Sequence, residues 1–190
     1  MTDRATTTAS RTAVLREEII AIVLAEGFAD LRLSSLAARL SCSKSTLYAI
    51  APSKEQLLVS VVRSFFRTAT ERVEASLAEA TAPVERIAVY LQAIAAELAP
   101  ASDRFFADVD AFAPAREIYR DNTRAAARRV QALVEQADPS ADARFIGAVA
   151  GQVMESIHRG DIRASTGLDD SAAYRSLAEL IVARLSGSAA

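Results

Sequence analysis

Between Leu33 and Lys54 a short amphipathic helix, a three-residue turn and a second short helix follow one another, and this layout constrains the chain more than any other feature. Leu33, Leu36, Ala37 and Leu40 fall at i, i+3, i+4 and i+7, one face of an α-helix, while Arg39 and small polar residues take the other face. Ser41-Cys42-Ser43 forms the turn, and Ser43 is placed to cap the second helix. There Leu47 and Ile50 turn inward, and Lys44, Ser45, Thr46 and Tyr48 stay outward. A pair of helices in this arrangement is a helix-turn-helix, whose second helix fits the major groove of duplex DNA.

The rest of the chain is predicted to be helical as well. Only six glycines and five prolines interrupt 190 residues that are 51% apolar, so helix breakers are confined to a few places. One cysteine, Cys42, cannot build an internal disulfide framework, and no charged-apolar-small signal segment opens the sequence, so a cytoplasmic location is expected. No apolar run approaches the roughly 20 residues that a membrane span needs. Charge divides unevenly: residues 1–54 hold seven Lys/Arg against five Asp/Glu, and residues 55–190 hold fifteen against nineteen. A basic amino-terminal part beside an acidic remainder suits a protein that meets phosphates at one end only.

Breakers and periodicity predict about nine helices. Residues 1–10 lack periodicity and read as a mobile arm, after which Leu15, Ile19, Ile22 and Val23 mark the inner face of a first helix that Gly27 ends. Residues 11–53 then form a three-helix domain built around the helix-turn-helix, and residues 54–190 a second helical domain. Ser53 caps a long helix to about residue 80 that carries Leu57, Leu58, Val61, Val62, Phe65 and Phe66. Pro83 opens the next, and further helices are expected near 102–111, 114–137, 140–160 and 170–186.

These residues resemble the TetR-type bacterial transcriptional regulators, most specifically in the first 60 or so. Gly27-Phe28, Leu36-Ala37, Thr46-Leu47-Tyr48 and Ser53-Lys54-Glu55-Gln56-Leu57 supply the family pattern in order. Four positions depart from it. Ser41 replaces the usual turn glycine, Ser45 replaces a small residue, and Ile50-Ala51 replace an aromatic pair. A serine at a turn position of positive φ costs on the order of 1 kcal/mol, so either the turn is altered or the strain is absorbed.

Carried over position by position, the resemblance makes Lys44 and Thr46, with Ser43 and Ser45 beside them, the candidates for base-edge or phosphate contact. Tyr48 matches a tyrosine that contacts phosphate through its hydroxyl; the alternative is a packed ring with its hydroxyl left to water. Lys54 lies in the first turn of a helix, where free backbone N–H groups and an ammonium together make an anion site. Cys42 allows a redox reading, but a small, buried, apolar role fits its position better. His158 is the only histidine, so metal binding and Cys-His catalysis have no support, and a helix-end or interface role is expected. No cofactor is expected, and no enzyme: there is no phosphate loop, no metal spacing and no paired acids beyond Asp108 and Asp110.

Beyond residue 55 the resemblance is to architecture. Phe105, Phe106, Asp108 and Phe112 lie in the most aromatic segment, and with Phe65, Phe66, Tyr90, Tyr119 and Met154 they are candidates to line an apolar effector cavity, Asp108 orienting a polar or cationic ligand. Phe145, Val149, Val153 and Ile157 recur every fourth residue near Gly147 and Gly151, and Leu177, Leu180 and Ile181 form a second stripe. Two such helices from each of two subunits make a four-helix bundle, the homodimer that the resemblance also implies. The expected function is a sequence-specific regulator of a near-palindromic double-stranded operator, released by a small-molecule effector. A helical carrier or scaffold that has lost DNA binding is the rival reading.

Overall fold

The computed structural model describes residues 2–187, which form ten helices: α1 (Thr2–Glu26), α2 (Leu33–Arg39), α3 (Lys44–Ile50), α4 (Lys54–Ser76), α5 (Pro83–Leu98), α6 (Asp103–Ala111), α7 (Ala113–Ala137), α8 (Ala143–His158), α9 (Asp161–Thr166) and α10 (Asp170–Ser186). Among the described residues there is no strand, and no helix is long and apolar enough to cross a membrane. Helix α1 reaches back to Thr2, through the stretch where the sequence predicts an irregular arm. Helix α9, six residues between two left-handed glycines, has no counterpart in the sequence-based expectation.

The chain divides into two compact units: residues 1–65 with 100–118, and residues 66–99 with 119–190. The first unit therefore joins the three amino-terminal helices and the start of α4 to α6 and the start of α7, whereas the sequence suggested a single boundary near residue 53. Its buried side chains include Leu15, Ile19, Val23, Phe28, Leu36, Leu47, Leu57, Val62, Phe65, Phe105 and Val109. Phe105 packs edge-on against Phe28, Phe65 and Phe106, at ring separations of 6.2, 5.9 and 5.4 Å.

The end of α1 fixes how α6 is seated in this unit. Gly27 leaves the helix with φ +75°, and its N–H donates to Val23 O at 2.9 Å. The next two amides, of Phe28 and Ala29, have no helical acceptor, and both donate to Asp108 Oδ2 on α6. Arg104 of α6 pairs with Asp30, and Ser102 N–H donates to Leu24 O at 2.9 Å. Close approach here requires glycine, because a Cβ at position 27 would lie 2.5 Å from Asp108 Oδ2 and 2.8 Å from Arg104 Cγ.

In the second unit a single apolar cluster joins Val73 and Leu77 of α4, Ile87 and Leu91 of α5, Val130, Leu133 and Val134 of α7, Ala150, Met154 and Ile157 of α8, and Tyr174, Leu177, Ala178 and Ile181 of α10. Pro83 at the first turn of α5 and the Asp142 and Asp169 caps of α8 and α10 set where these helices start. Gly147 and Gly151 allow α8 to lie close against α7: a Cβ on Gly147 would sit 2.9 Å from Gln131 Cβ and 3.0 Å from Ala127 O, and one on Gly151 would sit 3.1 Å from Ala127 Cβ. The glycine pair thus serves packing inside one subunit.

Two left-handed glycines separate conformational strain from crowding. Gly160 has φ +78° with nothing near its Cβ position, so Gly160→Ala is expected to cost about 1 kcal/mol, the ordinary left-handed penalty. Gly27→Ala adds the clash with Asp108 and is expected to cost at least about 2 kcal/mol in urea unfolding. Equal losses at the two positions would show that the α1–α6 junction yields without resistance.

Candidate functional site

Helix α3 is seven residues long and is held at its start and along its inner face. Before it, α2 closes in a Schellman arrangement: Ser41 N–H donates to Ala38 O at 3.2 Å and Cys42 N–H to Ala37 O at 3.0 Å, with Ser41 at φ 47°. The left-handed backbone expected of a glycine is kept with serine in its place, and these two hydrogen bonds offset the strain. Cys42 is only half-buried, short of the full burial its position suggests, because the turn that holds it runs along the surface.

Ser43 then caps α3. Its φ and ψ are −82° and 155°, and Oγ accepts from Thr46 N–H at 3.1 Å while lying 2.7 Å from Ser45 Oγ and 2.8 Å from Thr46 Oγ1. Leu47, 1% exposed, anchors the inner face. Ser43, Lys44 and Ser45 are exposed, Tyr48 is half-exposed at 50%, and Thr46 is partly buried under the Ser43 hydroxyl. The six residues singled out in the sequence for DNA contact therefore fall into three groups. Lys44, Ser45 and Tyr48 are uncovered; Ser43 and Thr46 are spent largely on the cap; Lys54, in the first turn of α4, donates from Nζ to Ala29 O at 3.0 Å. Arg39 makes a two-pronged pair with Glu26, both contacts at 2.6 Å, which lowers the Glu26 carboxyl below its ordinary range.

The second unit contains a cavity of about 370 Å³. Its walls come from α4 (Phe66, Ala69, Thr70, Val73, Glu74), α5 (Tyr90, Ile94, Glu97, Leu98), α7 (Tyr119, Asn122, Thr123, Ala126, Arg128, Arg129), α8 (Met154, His158) and α10 (Tyr174). Phe66, Tyr90, Tyr119 and Met154 were singled out in the sequence and are brought together here. Phe65, Phe105, Phe106 and Phe112 are not among the lining residues. They belong to the first unit, where Phe28 packs against Phe105 and Phe112, because aromatic rings on a short helix bury most area in the nearest core. Asp108 is likewise spent on the Phe28 and Ala29 amides and does not orient a ligand in this cavity.

Polar groups in the cavity wall are the part that sequence reasoning missed. Arg129 Nε and Nη2 donate to the two Glu74 carboxylate oxygens at 2.9 and 2.8 Å. Thr70 Oγ1 lies 2.8 Å from Phe66 O and 3.1 Å from Asn122 Oδ1. His158 bridges two phenols, with Nδ1 2.6 Å from Tyr119 Oη and Nε2 3.1 Å from Tyr174 Oη. Burial lowers the His158 imidazole from 6.5 to about 4 and pushes the Tyr90 and Tyr174 hydroxyls up. The available signal was Asn122 and Thr123 three and four residues after Tyr119, polar side chains on an otherwise inward stripe.

Helices α8 and α10 also carry an uncovered apolar strip. Phe145, Val149 and Leu180 are 64%, 40% and 71% exposed, and with Val153, Ile162 and Leu168 they border a groove of about 380 Å³. Leu177 and Ile181, expected on the same surface, line the floor of this groove while buried at 5% and 6% in the core of the unit, and Ile157, buried at 1%, belongs to that core and not to the groove. A stripe of period near four turns slowly around a helix, so its later residues pass from the outer face to the inner one.

No protein-family model and no curated protein matches the sequence. Solved structures match the fold. A protein from Saccharomonospora viridis assigned as a transcriptional regulator, crystallised in complex with choline, aligns with a TM-score of 0.74 at 14% identity, over 91% of this chain and 96% of that one. A TetR-like transcriptional regulator from a Rhodococcus species aligns with 0.67 at 16% identity, over 93% and 96%. The regulator FadR from Bacillus subtilis, in complex with stearoyl-CoA, gives 0.68 at 14%, over 88% and 96%. The chain has the all-helical fold of the TetR-type regulators, with a helix-turn-helix at α2 and α3.

The partly buried His158 imidazole makes acid stability a direct test of the cavity wall. A folded-state value of about 4 against 6.5 means that, as pH falls from 6.5 toward 4, the unfolded chain takes up a proton that the folded chain refuses. Stability should therefore decline across that window, and His158→Gln should flatten the decline in urea titrations at pH 7, 5.5 and 4.5. Parallel pH profiles for the two proteins would show that His158 is not held neutral by burial.

Proposed function

We propose that this protein is a sequence-specific DNA-binding transcriptional regulator that acts as a homodimer and responds to a small molecule in the second unit's cavity. The observation that carries the reading is the seven-residue α3, fixed by the Ser43 cap and the Leu47 anchor with Lys44, Ser45 and Tyr48 uncovered. A short rigid helix with one cationic and several hydroxyl side chains outward suits base edges and phosphates of a major groove. The expected homodimer uses the apolar strip of Phe145, Val149, Val153 and Leu180, which removes exposed apolar area from water and sets two copies of α3 about 34 Å apart on a near-palindromic site.

Effector control follows from the reach of α4. This helix is unbroken from Lys54 to Ser76; its first turn lies beside the α1–α2 loop through Lys54 and Ala29, and its later turns supply Phe66, Thr70 and Glu74 to the cavity. A ligand that favours one position of α4 changes the spacing of the two recognition helices, and a coupling of about 1–3 kcal/mol suffices for a useful switch. Two of the structural neighbours hold choline and stearoyl-CoA, ligands unlike in charge and size, so the fold alone does not set the effector.

Fluorescence anisotropy with duplex DNA from upstream of the protein's own gene tests the reading. Binding to a preferred sequence should survive excess nonspecific DNA. Lys44→Ala should cost about 1–3 kcal/mol and relax sequence preference, whereas Tyr48→Phe should weaken all sequences alike. Weak binding that salt abolishes, without any preferred sequence, would favour a carrier that has lost DNA recognition.

A further inference from the structure

Tyr90 is the buried polar side chain of the cavity wall that the protein leaves unanswered. Its side chain is 95% buried, being 5% exposed, and it lines the cavity, yet among the described residues its hydroxyl has no hydrogen-bond partner. The neighbouring phenols differ: Tyr119 and Tyr174 are both tied to His158. That hydroxyl oxygen keeps accessible surface at the cavity, so a ligand oxygen placed there can take the place of water as its acceptor.

Charge selects among the molecules that would do so. Two acids, Glu74 and Glu97, and two bases, Arg128 and Arg129, line the cavity. Glu74 and Arg129 are already joined by two hydrogen bonds, and Glu97 meets Arg72 at 3.3 Å. A cationic ligand would be desolvated beside the guanidiniums without an unspent acid to answer it, and an anionic one beside the two carboxylates with only Arg128, which is exposed to solvent, left to meet its charge. The rest of the wall is aromatic and aliphatic, from Phe66, Ile94, Leu98 and Met154, and about 370 Å³ lies at the small end of ligand cavities. Burial, and next the Glu74 carboxylate, raise the Tyr90 hydroxyl, so it keeps its proton at neutral pH and presents a donor.

We propose that the effector is an uncharged, ring-sized amphipathic molecule whose oxygen accepts a hydrogen bond from Tyr90 Oη while its apolar body packs among Phe66, Ile94 and Met154. This assignment rests on the effector reading above, and it identifies Tyr90 as the residue that selects the ligand's polar group.

Calorimetric titration of the full chain with four probes of similar size tests it: acetophenone, ethylbenzene, benzyltrimethylammonium and phenylacetate. Acetophenone is expected to bind at least tenfold more tightly than either charged probe. It should also exceed ethylbenzene, which lacks the oxygen, by about tenfold, and Tyr90→Phe should erase that preference while leaving ethylbenzene bound as before. Tighter binding of a charged probe, an unchanged acetophenone-to-ethylbenzene ratio in Tyr90→Phe, or no binding of any probe would each overturn the proposal. DNA anisotropy on the same samples separates the two failures. Specific DNA binding without acetophenone selectivity sinks the ligand assignment alone, and acetophenone selectivity without specific DNA binding sinks the regulator reading and leaves the cavity assignment standing.

Discussion

A helix of seven residues has no stability of its own in water, so everything outward on α3 depends on what holds α3 in place. Three local devices do so. The Schellman turn at Ser41 and Cys42 aims the chain, the Ser43 hydroxyl satisfies an amide at the helix start, and burial of Leu47 contributes about 1.5–3 kcal/mol. The left-handed serine is the visible cost, and it is small beside the anchor. The same unit is braced at the end of α1, where Gly27 lets Asp108 approach and accept two amides that no helix could satisfy.

The electrostatic picture changes once side-chain partners are known. Arg39 and Lys54 look like phosphate ligands by position, yet Arg39 is engaged by Glu26 and Lys54 by the Ala29 carbonyl. Such exposed contacts contribute little to stability, about 0–1 kcal/mol, so a phosphate can compete for both groups. In the second unit the balance is of another kind: the His158 imidazole, lowered to about 4 by burial, joins the Tyr119 and Tyr174 hydroxyls in a hydrogen-bonded part of the wall, beside the paired Glu74 and Arg129.

The amino-terminal fold was legible because its signals are local. Leu36, Ala37 and Leu47 declare their inward faces by spacing, and Ser43, Ser53, Gly27 and Pro83 mark helix ends by chemistry that acts over three or four residues. The cavity was legible only in part. Phe66, Tyr90, Tyr119 and Met154 meet as expected, but Phe105 and Phe112 are as aromatic as these and pack with Phe28 instead, a choice made by contacts some 80 residues apart in sequence, as the Asp108 to Phe28 bond shows at a separation of 80. Composition cannot report such contacts. His158 was opaque for the same reason, since its partners lie 39 residues before it and 16 after it. On α8 and α10 the apolar periodicity was plain, but only the packed subunit separates the uncovered Phe145 and Leu180 from the buried Ile157 and Ile181.

Amide hydrogen exchange of the full chain, with and without duplex DNA from upstream of its own gene, addresses the central claim most directly. Protection of residues 44–50 by that DNA, and not by a scrambled duplex of equal length, is the expected result. Equal exchange of α3 in both mixtures, with protection elsewhere or nowhere, would contradict the assignment of α3 as the surface that reads DNA.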